Sequence, residues 1–479
     1  MLQGDVTLLV FDFCRPDASD PWDKTSYNWW HQLVHVCQRW RQLIFASPHT
    51  LKLQLLCSCN TPVRKKLDSW PQIPIAINDK IGYELTPTQE DNLLAAFEHS
   101  NHIYSVTLRL QRSQMEKVVM IMQKSFPMLT HLHLSSSSLY WQNPPILPLG
   151  FLCGYAPHVQ EITLSGLFWP ATFVPSTSGL VKLHLFCLPN PYPSPEEMIK
   201  GLSAMTRLES LTIDFERTSS YNKQTQTQSL VAPVVLPSLI QFQFQGHHLY
   251  LEDLISKLDT PQLFNLTIEI FYVGSKFNNC QVPKLVQFIK GLKQAQFTHA
   301  NINIVTDNVN MVTIYLNNAW VEKGYPSHLI LKVHHCDLSS QYFVLIWQLL
   351  LTAHLLLQAA TIISTTHHLS IVTYQTPRKY RPKDKIHDTE FLGLLHPFLA
   401  IKTLHIGKQL TKLLFPPPTK SAYKLIQVTQ ALPALHLLNL EGLSLTSVKR
   451  LQSNFKQQLI DHPLTIVENQ EEFERLKVL

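Results

Sequence analysis

Apolar residues recur along this chain in a unit of three, at positions i, i+3 and i+5, usually entered through a Pro or small-residue turn. The unit reads Ile103/Val106/Leu108, Leu129/Leu132/Leu134, Val159/Ile162/Leu164, Leu180/Leu183/Leu185 and Leu208/Leu211/Ile213. It continues as Leu239/Phe242/Phe244, Leu263/Leu266/Ile268, Ile401/Leu404/Ile406 and Leu435/Leu438/Leu440. Side chains alternate across a strand, so the last two positions of each unit share one face and the first anchors the turn that enters it. One short strand cannot bury such a face by itself. Stacked units can, which predicts a continuous parallel sheet. Weaker strand candidates, Asn301 to Val305, Leu329 to Val333 and His368 to Tyr374, fill the gap between Ile268 and Ile401.

Helix signals fall between the strands. Thr86-Pro87 with Gln89, and Ser194-Pro195 with Glu197, each predict a capping box with Pro at the first helical position. Leu251, Leu254, Ile255 and Leu258 form an apolar stripe, and Thr446 is placed to cap a last helix carrying Val448, Leu451, Phe455 and Leu459. From Val106 to Leu266, middle positions of successive units lie between 21 residues apart (Ile162 to Leu183) and 31 apart (Leu211 to Phe242). That is the period of leucine-rich repeats with irregular insertions. The expected fold class is therefore α/β, an irregular leucine-rich-repeat solenoid with a concave parallel sheet. Ahead of it, Trp30, Leu33, Val34, Cys37, Trp40, Arg41 and Ile44 recur at helical spacing and predict one amphipathic helix from Trp29 to Ile44, with His31, Gln32, Gln38 and Gln42 turned away.

Residues alternating with the buried unit should line the concave face: His131, His133, Glu161, Thr163, Lys182, His184, Ser210, Thr212, Gln241, Gln243, Gln245, Asn265, Thr267 and Glu269. This face is mostly uncharged and hydrogen-bonding, as a partner-binding surface or as ordinary solvated sheet.

Composition narrows the chemistry. Charged residues make up 15% of the 479, below the roughly 25% usual for soluble proteins, so Ser, Thr, Asn, Gln and His must supply much of the surface. Net charge is +6 with both signs interspersed, and no basic stripe points to nucleic acid. The run Arg378 to Lys385 reads as a solvated loop. Eight cysteines show no CxxC pair, so neither a zinc site nor a disulfide framework is expected, and Cys57 and Cys59 read as half-buried at a strand end. The doublets His247-His248, His334-His335 and His367-His368 lie on or beside strands, where neighbours point to opposite faces; no metal or cofactor is expected. Phosphate-binding loops, dinucleotide fingerprints and nucleophile elbows are absent from the sequence, which argues against a catalytic role. Val344 to Ile363 is long enough for a bilayer, yet Gln348, Thr352, His354, Gln358 and Thr361 interrupt it, and a buried helix is expected. The amino terminus lacks a basic secretory n-region, so a cytoplasmic or nuclear protein is expected.

The stretch Val36-Cys37-Gln38-Arg39-Trp40-Arg41 resembles the second half of an F-box, the helical module that docks on a Skp adaptor. Leu2, Asp5 and Val6 keep positions of its first half without the usual Pro, Arg15 to Asn28 separates the halves, and the motif's start at Met1 hints at a truncated beginning. Thr61 to Ile77 and Leu236 to Phe271 are similar to a group of fungal F-box proteins with leucine-rich repeats. That resemblance implies an F-box-like module over residues 1–56, a connecting segment and first helix over 57–100, and the solenoid over 101–479. It implies a non-catalytic, substrate-recognition role in a Skp-cullin-F-box ubiquitin ligase, with Leu2, Val6, Leu9, Phe11, Leu33, Val36, Cys37 and Trp40 on the adaptor. The partners it implies are the Skp adaptor, through it a cullin, and an unknown target protein. A repeat scaffold with a decayed F-box is the alternative.

Overall fold

The computed structural model describes residues 4–14, 25–47, 51, 53–69, 73–80, 84–137, 144–168, 179–188, 192–215, 233–272, 281–292, 297–305, 311–317, 329–335, 344–374, 388–415, 421–458, 464–468 and 471. Their architecture is mixed α/β, with extensive, mostly parallel sheet and several helices. Two units divide the chain: Met1–Glu216 with Val234–Pro237, and Arg217–Pro233 with Ser238–Leu479. The expected boundaries at residues 56 and 100 both fall inside the first unit.

The first unit opens with helices α1 (Gly4–Phe13), α2 (Thr25–Val34) and α3 (Gln38–Ala46). Seven strands follow, β1 (Leu55–Cys57), β2 (Ile75–Lys80), β3 (Ile103–Leu110), β4 (His131–Ser136), β5 (Glu161–Ser165), β6 (Lys182–Leu188) and β7 (Ser210–Phe215), with the two-residue β8 (Val234–Val235) closing the unit. Strands β1 to β7 lie in chain order, each parallel to the next. Register aligns the repeated units: Val106, Leu132, Ile162, Leu183 and Leu211 face one another in sequence, and Leu108, Leu134, Leu164, Leu185 and Ile213 form the second row. All are 1% exposed or less. Each apolar column continues into the next strand, which is why units that could not fold singly make one core.

Strand β2 extends both rows with a substitution. Ile77 pairs with Val106, but Asp79 stands opposite Leu108. Its carboxylate is 7% exposed and accepts a hydrogen bond from the Cys59 backbone N–H at 2.5 Å, which compensates the burial of an acid in an apolar column. Between β6 and β7 the register slips after Leu185, where Cys187 takes φ +48° and forms the irregularity. Helices α4 (Val63–Ser69), α5 (Pro87–Phe97), α6 (Arg112–Ile121) and α7 (Pro195–Leu202) connect the strands. Both expected capping boxes form, at Thr86 with Gln89 and at Ser194 with Glu197.

In the second unit the strands are β9 (Gln241–His247), the two-residue β10 (Leu258–Asp259), β11 (Asn265–Tyr272), β12 (His299–Val305), β13 (Met311–Asn317), β14 (Leu329–His335), β15 (His368–Tyr374), β16 (Thr403–Ile406), β17 (Leu437–Leu440) and β18 (Thr465–Val467). Hydrogen bonding runs β9-β11-β14-β13-β12-β15-β16-β17-β18. Phe242 aligns with Leu266 and Phe244 with Ile268; Leu404 aligns with Leu438 and Ile406 with Leu440. The three weaker strand candidates are β12, β14 and β15. The sequence pattern did not anticipate β13, which is antiparallel to both β12 and β14 and interrupts an otherwise parallel order.

Helices α8 (His248–Ile255), α9 (Pro283–Lys290), α10 (Val344–Gln358), α11 (Ala360–Ile363), α12 (Asp388–Leu395), α13 (Lys408–Leu414), α14 (Ser421–Ala431) and α15 (Leu445–Gln458) complete the unit. The stretch that could have crossed a bilayer is divided into α10 and α11. Among the described residues no helix is long and apolar enough to cross a membrane. Polar groups of α10 face protein: Gln348 Nε2 donates to Val305 O at 3.0 Å, and Gln358 Oε1 accepts from Val282 N at 2.8 Å. The last helix is capped two residues earlier than expected. Ser444 Oγ, not Thr446, accepts the Ser447 N–H at 3.3 Å. Val448, Leu451 and Phe455 are buried as expected, and Leu459 lies outside the described residues.

Candidate functional site: two surfaces

The N-terminal helices present the first surface. The single helix expected over Trp29 to Ile44 is two, separated by His35, Val36 and Cys37. Cys37 has extended backbone angles (φ −160°, ψ 164°) and its Sγ accepts the Trp40 N–H at 3.5 Å, capping α3. Cys37 is exposed and stands in the turn between α2 and α3 rather than on a continuous helical stripe. Trp30, Val34 and Ile44 are fully buried; Leu33 and Trp40 are half-buried; Arg41 lies outside with its Nε donating to Val34 O at 3.0 Å. Trp30 anchors α2, its Nε1 donating to Gln54 O at 3.2 Å.

Helix α1 packs on α3 through Phe11, whose ring meets Trp40 edge-on with centroids 4.8 Å apart. Phe11 is 1% exposed. It holds the module together and is not a surface anchor as expected. The opposite side of α1 is open: Val6, Leu9, Val10 and Phe13 stand at i, i+3, i+4 and i+7, exposed by 41%, 63%, 48% and 90%, and Val36 in the turn is 59% exposed. That spacing places the four on one helical face. Val10 was not anticipated, although the spacing from Val6 is visible in the sequence. Leu2 and most of the Arg15 to Asn28 insertion lie outside the described residues.

The second surface is the polar face of each sheet. In the first unit, His131, Glu161, Lys182 and Ser210 are register neighbours, and so are His133, Thr163, His184 and Thr212. Lys182 Nζ lies 3.7 Å from Glu161, both partly exposed; a pair of this kind contributes little stability but fixes local charge. His184 Nδ1 and Thr212 Oγ1 are 2.9 Å apart, and His131 Nδ1 is 2.8 Å from Thr130 Oγ1. Burial lowers the pKa of His131 and of His184, against the raising pull of Glu161 and with Lys182 adding to the lowering. Thr212 is 3% exposed and Thr163 is also buried, so neither is open surface as expected. Thr163 lies in register between His133 and His184, and Thr212 lies beside His184.

In the second unit, Gln241 pairs in register with Asn265, Gln243 with Thr267, and Gln245 with Glu269. Glu269 departs from expectation in being 8% exposed. Its carboxylate lies 3.4 Å from Lys332 Nζ and 2.9 Å from His334 Nε2, both on β14. Lys332 and His334 were not foreseen as members of this face, since only β14's apolar positions stood out. Farther along, His299 and His368 stack with centroids 4.4 Å apart, and His368 Nδ1 is 2.7 Å from Thr403 Oγ1. Cys57 and Cys59, expected half-buried, are fully buried; burial pushes the Cys57 thiol up to about 11. Among the described residues no group of three or more His, Cys, Asp or Glu could hold a metal ion.

Taken together, these surfaces define a mixed α/β chain that offers an apolar helical face and a polar sheet face. No protein-family model matches the chain, and no curated protein matches it.

Proposed function

We propose that this protein is the substrate-recognition subunit of a Skp-cullin-F-box ubiquitin ligase, built on an irregular leucine-rich-repeat array. Helices α1 to α3 would hold the Skp adaptor, the polar sheet face would take a target protein, and ubiquitin transfer would belong to the partners. The observation that carries this reading is the exposed apolar face of α1, Val6, Leu9, Val10 and Phe13, beside Val36. An amphipathic helix with its aliphatic and aromatic anchors in water is the donor half of a helix-in-groove contact. The aligned repeats and the resemblance of Val36 to Arg41 to an F-box support it.

A second reading, a repeat scaffold without ubiquitin transfer, is favoured by the Phe11–Trp40 contact, because two expected adaptor anchors pack on each other instead. Co-purification from cells separates the two. The proposal expects Skp adaptor and cullin to accompany the wild type and to be lost with Leu9→Asp; a target that is captured without either selects the scaffold.

A further inference from the structure

The polar face of β2 to β7 changes character along the strands. Near the strand starts, Ser105, His131, Glu161, Lys182 and Ser210 are register neighbours, and the Lys182 ammonium lies 3.7 Å from the Glu161 carboxylate. In that row the two formal charges offset each other. Four residues further along, the last row reads Lys80, Arg109, Ser135, Ser165 and Phe186 across β2 to β6. It holds cations and hydroxyls and no carboxylate.

Arg109 is exposed, and Ser135, Ser165 and Phe186 are half-buried. Phe186 closes the row, its ring stacked on His184 with centroids 6.0 Å apart. Beyond it, where the register slips, comes β7 with Asp214, four strands from β3 and so about 19 Å away across the sheet. In the second unit the charges of the face are placed differently. Glu269 is buried, with Lys332 Nζ at 3.4 Å and His334 Nε2 at 2.9 Å, so cation and carboxylate there are committed to each other.

We propose that the last row of the first unit's polar face takes an acidic peptide segment of the target protein, with Arg109 as its anchor. This rests on the reading that the sheet face receives a target, and it adds the place and the class of segment. A guanidinium presents a planar fork of donors that matches a carboxylate with two parallel hydrogen bonds. Ser135 and Ser165 follow at one strand spacing each, about 4.8 Å, and their hydroxyls are donors for the next carboxylate or for the peptide backbone. Complementary charge speeds the encounter and turns basic segments away. Glu161, paired with Lys182, bounds the positive area on the side of the strand starts.

Fluorescence anisotropy of the full chain tests the site with labelled probes: a Glu-rich peptide, the same peptide with Lys for Glu, a phosphoserine peptide of the same net charge, and a single-stranded oligonucleotide. The Glu-rich peptide is expected to bind saturably, more weakly as salt is raised, and the Lys-rich peptide not at all. Arg109→Gln should weaken binding about tenfold, the loss of one charge-assisted pair, at unchanged melting temperature because the side chain is in solvent. Lys290→Gln, on the exposed side of α9 in the second unit, should leave binding unchanged. Absence of saturable binding, equal binding by Arg109→Gln or of the Lys-rich peptide, or tighter binding of the phosphoserine peptide or the oligonucleotide overturns the proposal. The measurement needs no Skp adaptor, so the adaptor contact and this site fail separately.

Discussion

Glu252 is 7% exposed on α8, and its two carboxylate oxygens accept the backbone N–H groups of Lys284 and Leu285 at 2.9 and 2.8 Å, capping α9 from outside. Burial raises its pKa, and the hydrogen bonds from Leu285 and Lys284 oppose the rise without cancelling it. A carboxyl with a raised folded value favours folding most below its ordinary value of 4.5, and that contribution fades as pH rises through the folded value. Glu252→Ala leaves two donors without their acceptor and should cost about 1–3 kcal/mol. Glu252→Gln keeps an acceptor without the charge and should cost less at neutral pH. Equal melting temperatures for wild type and Glu252→Ala would show that the cap contributes nothing. His248, one turn before it on α8, moves the other way: burial first, and then His247, push its pKa down to about 4. The neutral imidazole therefore supports the fold above its ordinary 6.5, and the support is lost between there and about pH 4. His248→Gln should flatten the decline of melting temperature over that window, and an unchanged decline would contradict it.

The strands were legible because their apolar spacing is a direct image of register. Phe244 and Ile268 were identified as partners in one core by period alone, and they pair across β9 and β11. Truncating Phe244 to Ala should cost about 3–5 kcal/mol, whereas Gln243→Ala, one position away on the partly exposed face, should stay within about 0.5 kcal/mol. Chemical denaturation of the two variants measures the contrast, and similar losses would sink the facial assignment. The capping boxes were legible too, because Thr86 and Ser194 carry both their partner and the following Pro. Replacing either by Ala should cost about 1 kcal/mol. The helix break at His35 to Cys37 was not legible. Leu33, Val34, Cys37, Trp40 and Arg41 keep helical spacing straight through it, and no Gly or Pro marks the turn. At the break Trp30 packs on one side, Phe11 meets Trp40 on the other, and Cys37 caps α3. Strand β13 was missed although Met311, Ile314 and Leu316 keep the same spacing; what spacing does not show is its antiparallel pairing with β12 and β14.

Across the whole chain, the sequence made the sheet cores visible and left their polar faces only partly so. Alternation names which residues leave the core, but it does not say which of them neighbouring strands then cover. Thr212, Thr163 and Glu269 are covered, while His131, Lys182 and Gln241 remain exposed. At the amino terminus, the F-box resemblance pointed to the helical module and chose Phe11, Cys37 and Trp40 as contacts. In the structure Phe11 is buried against a half-buried Trp40, the exposed Cys37 caps α3, and Val6, Leu9, Val10, Phe13 and Val36 stand in water. If those five side chains are the handle of a receptor, removing their apolar character must weaken adaptor binding without unfolding the module. Calorimetric titration of purified Skp adaptor into the full chain measures this directly. Saturable binding by the wild type is expected, with at least a tenfold weaker association, about 1.4 kcal/mol, for Leu9→Asp with Phe13→Asp at unchanged melting temperature. No binding by the wild type, or equal binding by the folded double variant, would contradict it.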